Sequence, residues 1–234
     1  MARSAPHGAI PAAAVRIGLT LWAPQQALLD RYLVLVDEWR SHLRIMGARS
    51  AETAAGLMTG ALCAVPFVPE SGRLADLGSG GGLPGIPIAV LRPSLRVALV
   101  EATRKKAAFL DIVTRELGLA NVEVLSVRAE DLGRDPANRA RYDAVTARAL
   151  APVRVLVEYA LPLLRLGGVA VLPKGRGAVD EVRAAARALG LLGGEAAVHA
   201  PSAAFCSPIV VVRKTAPTPD RYPRRPGIPQ HRPL

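Results

Sequence analysis

Residues 74–85 read LADLGSGGGLPG. The apolar positions Leu74, Ala75 and Leu77 lead into Asp76 and Gly78, and the chain opens into a loop holding Gly78, Gly80, Gly81, Gly82 and Gly85. Glycine lacks a Cβ, so such a loop takes positive φ angles and lets a ligand approach the backbone. Downstream, RVALVEATRKK is an apolar run that ends in Glu101, about 23 residues past Gly78. A glycine-rich strand-to-helix turn followed by an acidic strand end is the arrangement that binds nucleosides on Rossmann-like sheets. The acid accepts hydrogen bonds from ribose hydroxyls. The stretch therefore predicts a nucleoside-cofactor site.

Strands and helices alternate from this stretch onward, the pattern of an α/β chain with a mainly parallel sheet. Strands are expected near 74–77, 96–101, 122–127, 142–147 and 168–173, with crossover helices near 86–92, 104–118, 153–165 and 178–189. Pro87 is tolerated only in an opening turn of the first crossover. Residues 195–200 and 208–213 read as two more strands whose connection is too short for a crossover helix, so that pair should be antiparallel. Ahead of the sheet, a helix is expected over Gln25–Met46, with Leu29, Tyr32, Leu33, Val36 and Leu43 near one stripe. Trp39 fits either an anchor onto the main domain or ordinary core packing. A second helix runs from Ala51 to about Val65, stopped by Pro66, and the two form an N-terminal helical cap.

A dinucleotide fingerprint requires a glycine at position 83, where this chain has Leu83. The form DLGSGGG instead resembles motif I of the S-adenosylmethionine-dependent enzymes, and a parallel sheet with an antiparallel last strand is the architecture of class I methyltransferases. The fold expected is thus a Rossmann-like, seven-stranded class I S-adenosylmethionine-dependent methyltransferase. Ligands sit at the carboxyl ends of strands in such sheets. That rule singles out Ala129 and Glu130 after the third strand, Arg148 after the fourth and Lys174 after the fifth. Each has an ordinary alternative: Glu130 and Asp131 cap a turn, Arg148 pairs with a surface carboxylate, and Lys174 is solvated. No convincing nucleophile–base pair is present, and no catalytic residue is assigned.

The formal charge of +11 points to a polyanionic partner, RNA or DNA ahead of a membrane surface. A basic tail that only confers solubility is the plainer alternative. The segment Arg213–Leu234 carries six basic residues against Asp220 alone, with prolines throughout. Such a stretch reads as extended and semi-rigid, its prolines forbidding helix, and suited to a phosphate backbone through Arg221, Arg224 and Arg225; Lys174 is the fourth residue expected to meet RNA. Cys63 and Cys206 have no metal-ligand or disulfide-framework spacing, so two reduced thiols and no metal are expected, as in the cytosol. No segment offers some 18 uninterrupted apolar residues to span a membrane. The opening MARSAPHGAIPAAAVRIG is interrupted by Pro11 and Arg16 and makes a poor secretory signal. The organisation expected is a mobile arm over 1–20, the helical cap over 21–70, the methyltransferase domain over 71–214 and a basic, Pro-rich tail over 215–234.

Several separated stretches together resemble one family. DLGSGGGLPGIPIA, RVALVEATRKKAAFL, NVEVLSVRAEDL, YDAVTARALA, GGVAVLPKG and the ending TPDRYPRRPGIPQHRPL are similar to the bacterial small-subunit 16S rRNA guanine-N7 methyltransferases, also called the glucose-inhibited division protein B family. The resemblance covers about residues 70–234. It implies a cytoplasmic, monomeric enzyme that methylates N7 of one guanine in 16S rRNA of the small ribosomal subunit. It also implies cofactor contacts at Gly78, Leu83, Ala129, Glu130 and Arg148, with Glu101, Ala102 and Thr103 where the ribose is held. The N-terminal helices depart from the pattern. Arg40, Arg44, Ile45 and Met46, and then Leu57, Gly60 and Ala61, stand where the family usually carries polar groups. A divergent paralogue acting on another RNA, or a non-catalytic RNA-binding or assembly factor, is the alternative.

Overall fold

Strand β1 (Gly72–Leu77) lies at the centre of the fold, and its last four residues are buried. It pairs in parallel with β2 (Leu95–Val100) on one side and β4 (Tyr142–Thr146) on the other. Strands flanked this way are covered on both faces, which is why they read as apolar runs. Beyond β2 lies β3 (Val122–Leu125), parallel to it; beyond β4 lies β5 (Leu164–Pro173), also parallel. The last two strands are β6 (Gly194–His199) and β7 (Ile209–Lys214), and β7 inserts between β5 and β6, antiparallel to both. The order is β3-β2-β1-β4-β5-β7-β6. This is the class I methyltransferase sheet, with the antiparallel ending read from the short last connection. The computed structural model describes residues 9–39 and 50–234.

Alternation along β1 sends Leu74 to one face of the sheet and Ala75 to the other. The Leu74 face is covered by α4 (Gly85–Leu91) and α5 (Arg104–Glu116), and by the N-terminal helices α2 (Ala23–Trp39) and α3 (Ala51–Leu62). Trp39, at the end of α2, packs there against Phe109 of α5 at 5.9 Å, so its ring anchors the cap on the main domain at the edge of the core. The Ala75 face is covered by α6 (Ala129–Arg134), α7 (Val153–Ala160), α8 (Ala178–Ala184) and α9 (Ala186–Leu192). Pro87 falls in the opening turn of α4, as its chemistry requires. The single crossover expected over 178–189 is two consecutive helices. Helix α6 spans six residues, too few for a periodic signal.

Three expectations are corrected. The supposed mobile arm contains a helix, α1 (Ala9–Arg16), in which Ile10, Ala13 and Ala14 are buried. Their i, i+3, i+4 spacing makes an apolar stripe, and Pro11 is harmless in an opening turn. Cys63 and Cys206 are not free thiols but a disulfide, with Cα atoms 5.8 Å apart. The pair is 143 residues apart in sequence, so no spacing signals it. Finally, the Pro-rich tail is docked on the domain, and it ends in a one-turn helix, α10 (Ile228–His231), with Pro229 in its opening turn.

The tail docks because a proline-rich chain presents carbonyls with few N–H groups of its own, and the body supplies donors. Arg139 donates to the carbonyls of Tyr222 (2.6 Å) and Thr218 (2.8 Å), and Arg134 to that of Pro223 (2.8 Å). Arg224 makes a two-pronged ion pair with Glu158 on α7, at 2.9 and 2.6 Å, and its backbone N–H also donates to that carboxylate. The Glu158 side chain is fully buried, whereas Arg224 is 25% exposed. Removing one partner of a buried pair leaves a charge without compensation. Arg224→Ala is therefore expected to destabilise the protein by about 2–3 kcal/mol, somewhat below the fully buried case because the guanidinium is partly solvated. Urea denaturation monitored by circular dichroism measures this, with faster proteolysis of the tail as a second readout.

Candidate cofactor and acceptor site

The glycine loop is shaped by two carboxylates. Gly78 and Ser79 donate their N–H groups to Val100 O at 2.8 and 3.1 Å, which folds the loop back onto the end of β2. There Glu101 accepts from Gly80 N (3.0 Å) with one oxygen and from Thr103 N (2.8 Å) with the other. Asp76 accepts from Gly85 N at 3.1 Å and so sets the start of α4. A side chain is excluded at several of the loop glycines, Gly78 and Gly85 among them. Gly78 has φ +64°, and a Cβ there would lie 2.7 Å from a methyl of Leu150; a Cβ at Gly85 would meet Leu99 and Asp76.

The helical cap is registered to this loop by polar contacts. The Tyr32 hydroxyl on α2 donates to Gly81 O at 2.6 Å, and burial holds that phenol above its ordinary range. From the end of β4, Arg148 donates to Leu57 O on α3 at 2.8 Å. Burial lowers the affinity of Arg148 for its proton, and the nearby Tyr32 and Asp76 oppose that loss.

A cavity of about 340 Å³ opens over the loop, lined by Gly78, Glu101, Ala102, Thr103, Ala129, Glu130 and Arg148. Seven of the eight residues expected to hold the cofactor thus come together. The eighth, Leu83, is buried in the core and is not among the lining residues. Four further polar lining residues carry no sequence signal: Lys106, Arg128, Tyr159 and Gln230. Gln230 arrives from the docked tail, where Gly227 N donates to Glu130 at 2.9 Å, and nothing in the sequence links those two segments. The residues present fit S-adenosylmethionine. A buried acid with both oxygens fixed by backbone N–H groups suits a ribose diol, and glycine backbone suits close approach by the amino-acid portion. Asp76 Oδ1, buried beside the loop, has no hydrogen-bond partner among the described residues.

A second cavity of about 370 Å³ lies against the first and shares Arg148 and Ala149 with it. Its walls are Gly56, Leu57 and Gly60 of α3, the end of β5 at Pro173 and Lys174, Glu181, and Phe205 and Ser207 of the β6–β7 connection. Leu57 and Gly60 thus face this cavity, while Ala61 is in the core and Arg40, Arg44, Ile45 and Met46 lie outside the described residues. A larger cavity, about 630 Å³, sits between Arg73, Arg96 and Glu123 at the opposite end of the strands. It has no glycine loop, and ligands of parallel sheets bind at the carboxyl ends.

A family model described as rRNA small subunit methyltransferase G matches residues 25–204. The ribosomal RNA small subunit methyltransferase G of Chloroflexus aggregans is 46% identical over 223 residues, 93% of each chain. That of Rubrobacter xylanophilus is 41% identical over 221 residues, 90% of this chain and 84% of the relative. The chain belongs to the rRNA small subunit methyltransferase G family. The crystal structure of cofactor-bound Rv0187 from MTB matches with a TM-score of 0.55 over 80% of this chain and 89% of that one, at 23% identity, a likeness of fold alone. Family membership of this extent does not favour the non-catalytic alternative.

In this member of the methyltransferase G family, two of the four cations expected to meet RNA are engaged internally. Lys174 pairs with Glu181 at 2.8 Å and donates to Ala151 O at 2.9 Å, and Arg224 holds the tail. Arg221, stacked near the Tyr222 ring at 5.2 Å, and Arg225 are exposed.

Two measurements test this site. Glu101→Ala frees the Gly80 and Thr103 N–H groups and removes the acid expected to meet the ribose, so affinity for S-adenosylmethionine is expected to fall at least about tenfold by isothermal titration calorimetry. Burial also pushes the Asp76 carboxyl up to about 7 from an ordinary 3.8. An acid raised on folding contributes its full stability below the unfolded value and loses it as pH rises towards the folded one. Wild-type stability is therefore expected to fall between about pH 4 and pH 7 by a few kcal/mol from this group. Asp76→Asn flattens that part of the profile in urea melts taken at each pH.

Proposed function

We propose that this protein transfers a methyl group from S-adenosylmethionine to N7 of a guanine in 16S rRNA. The observation that carries the reading is the pair of contiguous cavities that meet at Arg148 and Ala149. One has the fixed acid and glycine loop of a nucleoside cofactor, and the other has room for a base, at the lower end of the about 300–1,000 Å³ typical of ligand sites.

When bound, the cofactor supplies an activated methyl on a sulfonium sulfur. The chain's own task is orientation. Guanine N7 carries an in-plane lone pair and no proton, so no general base is required, in keeping with a site that offers no nucleophile–base pair. Arg148, fixed to Leu57 O, and the loop held by Glu101 bring the two cavities into one register, and alignment of this kind supplies much of a transfer barrier. The N7 edge lies in the deep, narrow major groove of A-form RNA, so the target is an unpaired or extruded guanine.

The surface around the cavities favours a polyanion. Arg104 and Lys105 follow β2, Arg128 follows β3, Arg154 opens α7 after β4, and Arg176 follows β5, all exposed. Each comes from a segment that begins at the carboxyl end of a parallel strand, so they gather on the rim that holds both cavities. Phosphate contacts from such a rim position the RNA and carry no sequence information.

Purified protein is expected to transfer label from methyl-labelled S-adenosylmethionine to 16S rRNA or 30S subunits, with N7-methylguanine as the labelled nucleoside on digestion. Label absent from every RNA, with the cofactor demonstrably bound, rules the reading out.

A further inference from the structure

Two walls of the acceptor cavity are covalently joined. Cys63 caps the C-terminus of α3, the helix that contributes Gly56, Leu57 and Gly60, and Cys206 stands between Phe205 and Ser207 in the facing connection. Among the described residues the connection has few other hydrogen bonds. Cys206 N donates to Ala203 O at 2.9 Å within it, and its end is pinned where Lys174 N donates to Pro208 O at 2.9 Å. The approach of the two walls is close at Gly60, where a Cβ would lie 3.6 Å from Phe205 O. The α3 wall has little with which to read a base through side chains, since Leu57 is apolar and Gly60 has none. The other wall carries the aromatic ring of Phe205. Arg16 on α1 lies over that ring, 5.5 Å from its centroid, and takes one of its two faces.

We propose that Phe205 is the base-stacking, specificity-determining wall of the acceptor cavity, and that the Cys63–Cys206 disulfide is the positioning clip that holds it there. The proposal rests on the reading of that cavity as the guanine pocket. Unpaired bases are commonly held on aromatic side chains, where every base offers a π-face. A ring on a loop gives this stacking only if the loop is ordered beforehand, because ordering it at binding subtracts from the affinity. The bridge supplies that order by tying the residue next to Phe205 to the rigid end of a helix.

The test compares wild type, Phe205→Ala, Phe205→Trp and the double variant Cys63→Ala/Cys206→Ala in methyl transfer to 30S subunits or 16S rRNA. Phe205→Ala is expected to raise the KM for RNA about tenfold or more, with kcat and S-adenosylmethionine affinity little changed, and Phe205→Trp to restore it. The double variant should raise the KM for RNA about threefold while its cofactor affinity stays at the wild-type value. Wild type treated with a dithiol should behave the same way; there the reagent is oxidised to its disulfide and the bridge becomes two thiols. Thiol titration of the denatured, non-reduced protein should find no free thiols, and two free thiols would overturn the clip. A wild-type KM in Phe205→Ala, with the parent enzyme active, overturns the stacking role. Equal losses of RNA and cofactor affinity in the double variant reduce the bridge to a general stabiliser of the fold. Should the parent enzyme transfer no methyl at all, the functional reading fails separately. Calorimetric binding of guanosine 5′-monophosphate to wild type and Phe205→Ala then decides the proposal, which requires weaker binding by the variant and is overturned by equal binding.

Discussion

The carboxylate of Glu101 accepts one hydrogen bond from the glycine loop after β1 and another from the turn after β2. Both segments line the cavity over the loop, and the carboxylate fixes their separation. Asp76 does the same on the other side of the loop by accepting from Gly85 N at the start of α4. The cap then takes its position from the loop, through the Tyr32 hydroxyl on Gly81 O, and from the end of β4, through Arg148 on Leu57 O. Five hydrogen bonds thus place the glycine loop, the cap and the two cavities in one frame. Each lies in a setting of low water access, where an unmade bond costs most.

Charge is divided between two jobs. A chain with a net +11 has cations to place on its surface, and those at the starts of the segments after β2 to β5 surround the cavities. Others are structural. Arg134, Arg139 and Arg224 hold the tail, and Lys214 donates to Leu161 O and Leu164 O at 2.7 Å while burial lowers its value to about 8. A guanidinium has five donors in a fixed fork, so it can satisfy several carbonyls of a segment that lacks N–H groups. The docked tail then closes the cofactor cavity with Gln230. The segment that reads as an RNA-binding arm therefore also lines the cavity over the glycine loop.

Much of the fold was legible because its signals are local. Apolar runs of strand length, glycines at a turn and a connection too short for a crossover helix all act over a few residues. The elements missed lacked such a signal. Helix α1 was masked by a proline that is harmless in an opening turn, and α6 is too short to show a period. Among the expected site residues, Glu101, Ala129, Glu130 and Arg148 follow from their places at strand ends, whereas Ala102 and Thr103 come from the family resemblance. Leu83 does not line the cavity, since its side chain turns into the core beneath the loop.

By itself the sequence determined the α/β class, the strand sequence, the antiparallel ending, the glycine loop with its acid and the family. Each of these is written in residues close together or in motifs of definite form. Tertiary structure alone decided which distant residues meet. Cys63 with Cys206, Glu158 with Arg224, Glu130 with Gly227, and Leu57 with Arg148 are pairs separated by 143, 66, 97 and 91 positions. No periodicity or motif spans such distances. The partners find one another only because the sheet order and the docking of cap and tail carry them to the same end of the strands.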